Sequence, residues 1–262
     1  MKIIVCVKVV LDPEMPASSF KVDAATNKVI PPKGTPPVLN PFDENALEAA
    51  LRIKESAGAS VTVLSLGKNI SKAVIRKSLA AGADRLVLLE DDAFEDLDAC
   101  TTAGLLADAI REIGEYDVII CGREAADTSA GQVGLGIAEI LGIPSVSLAG
   151  KVEFADNQLK VDRVLAYGTE TIGVLLPALV TVGNEAGALR TPGIKAVMEA
   201  QKKPLTVWKA ADLGFSQPQT RKIGVRKVFQ PVHETKCDIV TADTPEEAAV
   251  GLARKLREAK VL

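Results

Sequence analysis

The sequence predicts an α/β protein with a doubly wound, mostly parallel sheet and helices on both faces. Over the first 145 residues, short β-rich apolar runs alternate with amphipathic helical segments, which is the pattern of parallel strands joined by crossover helices. The chain is also 47% hydrophobic but only 3% aromatic. An aliphatic core of this kind is typical of parallel strands that are buried on both sides.

The first predicted element is a strand, and a long loop follows it. Residues 3–7 form a short apolar run rich in β-branched side chains, which predicts a strand. Residues 12–39 are rich in proline and show little periodicity, which predicts a loop with a small hairpin near residues 20–30. A loop of this length in a compact domain usually has a function.

A strong helix begins at Asn40. There, Asn40 suits the cap position, Pro41 the first helical position and Asp43 the positive end of the helix dipole. Apolar residues at helical spacing continue to Ile53, and Gly58 ends the element. Further strands are predicted over 60–66, 85–89 and 117–121, and further helices over 71–81, 97–113 and 132–141.

The pattern changes in the second half of the chain. Four strand-like segments with short turns predict hairpins added to the same sheet, namely 145–154, 158–167, 169–176 and 178–183. Residues 188–203 predict a loop with a short basic segment, 204–245 show little regular pattern, and 245–259 predict an amphipathic helix. We therefore expect an α/β domain over 1–205 and, over 206–262, a C-terminal arm and helix that pack on the core or on a partner.

Composition and charge exclude several classes of function. The chain has 31 basic and 34 acidic residues and a net charge of −3, so no overall field favours nucleic acid or an anionic membrane. No apolar run approaches the roughly 20 residues of a membrane span, and residues 1–8 lack a signal-peptide layout. We expect a cytoplasmic protein without a nucleic-acid partner and without direct membrane insertion.

The reactive residue types indicate neither a metal site nor a catalytic centre. None of the four cysteines forms a CxxC pair, so neither a zinc site nor a dithiol motif is predicted. Cys6 and Cys121 lie in apolar runs and are interpreted as buried thiols, and scattered cysteines fit a reducing compartment. The single histidine, His233, stands in a polar segment without any sign of a catalytic role.

The segment with most functional information follows the predicted strand over 117–121 and opens a helix. It consists of Gly122, Arg123, Glu124, Ala125, Ala126, Asp127, Thr128, Ser129, Ala130, Gly131, Gln132 and Val133. Open α/β sheets bind ligands at the carboxyl ends of their strands, and free N–H groups at a helix start attract phosphate. Arg123 can pair with a phosphate, Thr128 and Ser129 add hydroxyl donors, and Asp127 can orient the loop or a ribose hydroxyl. The alternative is an ordinary strand-to-helix connection, for which this segment is long, and it matches neither the GxGxxG nor the GxxxxGK[ST] motif.

Two earlier segments are candidates by position. Asn40 to Asp43 form either a well-capped helix start or a ligand contact, in which Phe42 would pack on a flat ring. Residues 9–13 follow the first strand and would line the same crevice, where Lys8 is either a ligand contact or a surface charge.

A docking surface for another protein is predicted over 189–203. Ile194 on a Pro-Gly turn offers an aliphatic anchor, and Val197, Met198 and Lys202 follow it, with Leu189 on the other side. One such anchor with flanking charge suits a pocket on a partner. The alternative is a surface loop that folds on its own core.

Together these segments resemble the electron-transfer flavoprotein β subunit. The resemblance reaches to about residue 215 and rests on MKIIVCVKVVLD (1–12), NPFDENALEAALRIKE (40–55), LSLG (64–67), SLAAGADR (78–85), CGREAADTSAGQVG (121–134), LPALVTV (176–182) and MEAQKKP (198–204). Each piece alone is weak, but the combination in this order is highly specific.

The resemblance implies an electron carrier subunit that performs no bond-making chemistry, on an adenine-nucleotide α-hydrolase-like fold. Such a subunit forms a heterodimer with an α subunit that holds most of the redox FAD. The β subunit itself binds AMP, or a second FAD in electron-bifurcating members, which oxidise NADH. The implied partners are acyl-CoA or related dehydrogenases, with a quinone oxidoreductase or ferredoxin as the downstream acceptor.

Carried over residue by residue, the resemblance implies a nucleotide site made by Cys6, Asn40 to Asp43, Leu66 and Gly122 to Val133. The domain over 1–205 would then be nucleotide-binding. Phe42 matches an aromatic side chain that approaches the α-subunit flavin, and Ile194 matches the leucine with which the family docks its partners.

The chain also departs from the family pattern. Glu199 and Gln201 stand where lysines are common, which puts docking by charge in doubt, and Pro13 stands where some members carry a flavin-contacting tyrosine. Residues 33–37 read Lys-Gly-Thr-Pro-Pro before Asn-Pro-Phe-Asp, whereas bifurcating members often show Arg-x-Gly-Val before Asn-Pro-Asp-Asp. The departure at residues 33–37 weakens the bifurcating interpretation but leaves it open, since the long proline-rich loop can still shape a second flavin site.

Two alternatives come from other classes of protein on a related fold. One is an ATP-hydrolysing or adenylating enzyme, for which Asp127 would be the metal-binding acid, although no SGGxDS or P-loop sequence occurs. The other is a nucleotide sensor that forms homodimers. ATP turnover by the purified chain would favour the first, and a stable homodimer would favour the second.

Overall fold

A computed structural model describes residues 1–215, 221–230 and 237–262. His233 lies outside the described residues. The chain divides into two compact units, Met1–Lys227 and Val228–Leu262, and each is described by itself.

The described residues form thirteen strands and seven α-helices. The strands are β1 (Lys2–Cys6), β2 (Val9–Val10), β3 (Lys21–Asp23), β4 (Lys28–Ile30), β5 (Val38–Leu39), β6 (Ser60–Gly67), β7 (Arg85–Glu90), β8 (Val118–Gly122), β9 (Ser145–Ala155), β10 (Gln158–Leu165), β11 (Gly168–Val174), β12 (Ala178–Val182) and β13 (Leu205–Trp208). The helices are α1 (Pro41–Ala57), α2 (Lys72–Ile75), α3 (Lys77–Ala81), α4 (Ala99–Ile113), α5 (Val133–Leu141), α6 (Ile194–Ala200) and α7 (Pro245–Glu258).

The first unit is built on a nine-stranded sheet with the order β11-β10-β9-β12-β8-β1-β6-β7-β13. Every neighbouring pair from β9 to β13 in this order is parallel, and only the β9–β10 and β10–β11 pairs are antiparallel. The predicted doubly wound, mostly parallel α/β fold is therefore confirmed. After β1, the chain adds β6 and β7 on one side of it and then β8 on the other side, so β6 and β8 flank β1.

Successive residues of a strand point to opposite faces of the sheet. Each central strand therefore places apolar side chains on both faces, and helices cover both. In β1, Ile3 and Val5 belong to one buried cluster, together with the apolar side of α1. Ile4 and Cys6 belong to the other cluster, together with α4 and α5. The two clusters consist largely of Ala, Val, Ile and Leu, as the composition predicts.

Three predictions about the second half of the first unit are wrong. The segment 178–183 is not part of an added hairpin, because β12 returns to the middle of the sheet and pairs parallel with β8 and β9. Residues 205–208 are not irregular but form the edge strand β13 beside β7. Part of the predicted loop over 188–203 is helical, as α6.

The predicted hairpin in the long N-terminal loop is confirmed as β3 and β4. Lys28 in β4 pairs with Glu95 and Asp96 at 2.9 and 2.8 Å, and Lys68 also pairs with Glu95 at 2.9 Å. The two lysines lower the pKa of Glu95 to about 2. These ion pairs link the hairpin to the loops that follow β6 and β7, at the carboxyl ends of the central strands.

The second unit contains the predicted C-terminal helix, α7. The Thr244 hydroxyl caps it by accepting from the Glu247 N–H at 3.2 Å. None of the residues of α7 is buried, and Val250 and Leu252 are exposed.

Candidate functional site

The candidate site lies at the carboxyl ends of β1, β6 and β8. The strand-end loop, defined here as residues 122–132, begins with the last residue of β8 and leads into α5, and the start of α1 faces it. The structure thus brings together the segments 40–43 and 122–133. Cys6 ends β1 and Leu66 lies near the end of β6, so both stand at the same edge of the sheet.

Asn40 joins the strand-end loop to α1. Its side-chain Nδ2 donates to the Glu124 carbonyl at 2.8 Å, and its Oδ1 accepts from the Ala126 N–H at 3.0 Å. The residue is fully buried. Asn40 occupies the cap position of α1, but its side chain makes no capping hydrogen bond. The sequence-based expectation of a capping side chain is therefore wrong, because the loop takes both of its hydrogen-bonding groups.

Asp43 joins the ends of β1 and β8 to the same helix. Its Oδ2 accepts from the Lys8 N–H at 2.7 Å and its Oδ1 accepts from the Gly122 N–H at 3.1 Å. Burial raises the pKa of Asp43 to about 7, although the hydrogen bonds from Lys8 and Gly122 act in the opposite direction. Both carboxylate oxygens are thus used within the protein, so Asp43 positions the loop.

Gly122 allows α1 to approach β8 closely. A Cβ atom on Gly122 would lie 2.7 Å from the Phe42 carbonyl carbon and would also collide with the Asp43 carboxylate. Only glycine fits between the strand and the helix start.

Lys8 and Asp127 close one side of the site. The Lys8 Nζ lies 2.6 and 2.8 Å from the two Asp127 oxygens. Lys8 thereby neutralises the carboxylate that would otherwise repel a phosphate. Sequence reasoning placed Lys8 near the crevice but missed this pair, whose members are 119 positions apart.

Phe42 and Arg123 stack on each other. The Arg123 guanidinium carbon lies 4.8 Å from the centroid of the Phe42 ring, and its Nη2 is 3.3 Å from Glu124 Oε1. To pair with a phosphate, as its residue type suggests, Arg123 would have to leave Glu124.

The tip of the strand-end loop is open to solvent. The Ala125 carbonyl accepts from the Thr128 and Ser129 N–H groups, which forms a tight turn. Beyond this turn, Thr128, Ser129, Ala130 and Gln132 are exposed. The helix α5 starts at Val133, and the first N–H groups of a helix have no partner within it. The exposed hydroxyls and the first N–H groups of α5 are the kinds of donor that a phosphate requires.

Cys6 and Cys121 form an apolar floor next to this loop. They are register partners on the adjacent strands β1 and β8, and both are buried. The pKa of Cys121 is raised well above its usual value, first by a hydrogen bond with Cys6 and then by burial. The prediction of two core thiols is confirmed. Within the described parts of the chain, no group of His, Cys, Asp and Glu could hold a metal ion, and no helix is long and apolar enough to cross a membrane.

The predicted docking residues lie elsewhere, around α6. Ile194 is 84% exposed, Met198 68% and Val197 45%, and Lys202 is exposed as well. Leu189 is half-buried and packs against the core, so it does not share this surface.

The fold and the loop arrangement define a doubly wound α/β protein whose candidate ligand site lies at the carboxyl ends of its parallel strands. The sequence profile of the electron transfer flavoprotein domain matches residues 29–213. The chain belongs to the electron transfer flavoprotein β-subunit family.

Relatives of full length support this assignment. The electron transfer flavoprotein subunit beta of Thermoanaerobacterium thermosaccharolyticum is 41% identical over 267 residues, which cover 100% of both chains. The corresponding subunit of Clostridium acetobutylicum is 35% identical over 98% of both chains. The caffeyl-CoA reductase-Etf complex subunit CarD of Acetobacterium woodii is 35% identical over 100% of both chains.

Proposed function

We propose that this chain pairs with an α subunit, binds AMP in its strand-end loop, and docks dehydrogenases whose electrons pass to the FAD of the α subunit. The flavin supplies the redox chemistry, and this chain supplies binding and orientation. The proposal is carried by one observation, that Asn40 and Asp43 fix the loop after β8 with its donors exposed.

The residues of the site fit an adenine nucleotide. The exposed hydroxyls of Thr128 and Ser129 and the N–H groups at the start of α5 suit a phosphate. Cys6 belongs to a buried apolar cluster and Leu66 packs against it, both near the ends of their strands, and these side chains suit the flat apolar face of a base. With Asp127 neutralised by Lys8, the loop carries no uncompensated negative charge at that residue.

Two further surfaces support a role in an assembly. The exposed apolar side chains of α6 suit the pocket of a dehydrogenase. The helix α7 has no buried residue yet carries exposed Val250 and Leu252, which suits packing of this helix on the α subunit. Relatedness to a subunit of a caffeyl-CoA reductase-Etf complex supports a partner that acts on CoA thioesters.

The experiment is to co-express this chain with its α subunit, denature the purified heterodimer, and identify the released nucleotides by chromatography and mass spectrometry. We expect one FAD and one AMP per heterodimer. Two FAD and no AMP would replace the proposal by the electron-bifurcating type, with NADH oxidised at the second FAD. Release of no nucleotide beyond the α-subunit FAD would overturn the binding role of the loop.

A further inference from the structure

A second polar cluster lies away from the strand-end loop, between α1 and the chain that leads to α6. Glu48 in α1 is buried, and Arg190 holds its carboxylate with three hydrogen bonds. The Arg190 Nε and backbone N lie 3.0 and 3.1 Å from Glu48 Oε2, and Nη2 lies 3.0 Å from Oε1. The same guanidinium also pairs with Glu55, two turns further along α1.

Two more contacts fix the chain just before Arg190. Asn45 Nδ2 donates to the Gly187 carbonyl at 2.6 Å, and Arg52 Nη1 donates to the Ala186 carbonyl at 3.0 Å. Burial by itself would raise the pKa of Glu48, but the hydrogen bonds from Arg190 outweigh it, and the pKa is lowered. Glu48 is therefore an ionised, buried anchor whose charge is balanced by Arg190 and by Arg52, whose Nε lies 3.2 Å from Glu48 Oε1.

The far end of α6 is also fixed. Ala200 is buried, and its carbonyl accepts from Arg76 Nη1 at 3.3 Å. Lys203 Nζ donates to the Leu79 and Ala83 carbonyls at 2.9 and 2.6 Å. Between these two anchors runs the docking segment, defined here as residues 191–199, which carries the exposed Ile194, Val197 and Met198.

We infer that Glu48 and Arg190 are positioning residues for partner docking, because they hold the near end of the docking segment so that Ile194 is presented in one orientation. The inference rests on the proposed docking function. An exposed apolar segment that is already ordered loses less conformational freedom when it binds. Loss of the contact between Glu48 and Arg190 should thus weaken docking without removing any residue that touches the partner.

The test measures electron transfer from a purified acyl-CoA dehydrogenase, reduced by its acyl-CoA, to heterodimers that carry Glu48→Gln, Arg190→Gln or both. We expect each single variant to raise the KM for the heterodimer about three- to tenfold with kcat unchanged, and the double variant to add little further. Amide hydrogen exchange should become faster over 191–199 and stay unchanged over 122–133.

Three further variants make the outcome decisive. Arg111→Gln is the matched control, because it removes an arginine that contacts Asp108 and the Ile140 carbonyl on the other face of the sheet, and it should leave KM and exchange over 191–199 unchanged. Glu55→Gln covers the case in which Glu48→Gln fails to fold, since Glu55 is more exposed, and it should raise KM about twofold. Ile194→Ala tests docking itself.

The results separate the two proposals. An unchanged KM in Ile194→Ala would overturn docking through α6 and, with it, the role of Glu48 and Arg190 in docking. A raised KM in Ile194→Ala with unchanged KM and exchange in Glu48→Gln, Arg190→Gln and Glu55→Gln would overturn the positioning role of Glu48 and Arg190 and leave the docking proposal intact. A lowered kcat at unchanged KM in Arg190→Gln would also contradict a positioning role.

Discussion

The strand-end loop and the docking segment are held to the same helix, α1, in different ways. The strand-end loop is joined to it by buried hydrogen bonds that reach into the loop itself, at Gly122, Glu124 and Ala126. Hydrogen bonds hold the docking segment at its two ends, where Arg190 contacts Glu48 in α1 and Lys203 contacts the Leu79 and Ala83 carbonyls. Its middle is exposed and apolar.

The difference matches the ligand that we propose for each region. A small ligand gains affinity from donors that are fixed before it arrives, so its loop needs internal support. A partner protein needs an accessible apolar anchor, which internal support would bury. The helix α1 serves both regions, with Asn40 and Asp43 at its start and Glu48 and Glu55 further along. Substitutions along this one helix should therefore affect the two regions separately.

The largest effect is expected from Gly122→Val. The new side chain would overlap Phe42 and Asp43, so α1 would have to move away from β8. We expect a loss of about 4 kcal/mol in the free energy of unfolding, measured with urea, together with loss of bound nucleotide. Gly104→Ala in α4 is the control, because a Cβ there meets nothing within 4 Å. An equal effect of the two substitutions would show that the close approach at Gly122 is unimportant.

The next prediction is that the free energy of unfolding depends on pH because of Asp43. Its pKa is about 7 in the folded protein against 3.8 ordinarily, so the folded state binds this proton more tightly than the unfolded chain. Its contribution to stability is complete below pH 3.8 and is lost as the pH rises through 7, by roughly 4 kcal/mol. Asp43→Asn should be less stable at low pH, since its amide must face an N–H group, but should lack this loss. Urea unfolding from pH 4 to 8 measures the difference between the two proteins, and a difference that is constant with pH would contradict the prediction.

Smaller effects are expected from substitution of Asn40 and Asn45, and the two substitutions should differ in their effect on bound nucleotide. Asn40→Ala leaves the Ala126 N–H and the Glu124 carbonyl without their partner and should cost about 2 kcal/mol and most of the bound nucleotide. Asn45→Ala removes only the bond to the Gly187 carbonyl. It should cost about 1 kcal/mol, keep the nucleotide and speed proteolysis within 191–199. If both variants lose nucleotide equally, the two regions are not separately supported.

The smallest effect is expected from Lys8→Met. The ion pair with Asp127 is partly exposed, with 43% and 34% of the two side chains accessible, so its loss should cost below about 1 kcal/mol of stability. The unpaired Asp127 should nevertheless repel a phosphate and lower the affinity for AMP several-fold, as measured by calorimetry. Lys2→Met, which breaks an exposed pair with Glu115 at the opposite ends of the strands, should leave the affinity unchanged.

The sequence by itself determined the fold class and the order of the main elements. Hydrophobic periodicity is a local property, so it marks β1, α1, β6, β7, α4 and β8 with little ambiguity. The position of the strand-end loop between a strand and a helix was also readable, because the carboxyl ends of neighbouring parallel strands must meet at one edge. The motifs of the family were sufficient to recognise it.

Only the tertiary structure decided which partner each polar side chain takes. Asn40 looks like a helix cap in sequence, but the loop lies near enough to take both of its side-chain groups. Lys8 meets Asp127, and Glu48 meets Arg190, 142 positions away. The placement of β12 in the middle of the sheet likewise depends on which buried neighbours accept its apolar side chains. Such pairings follow from strand order and packing, because residues far apart in the chain meet only when the sheet is assembled.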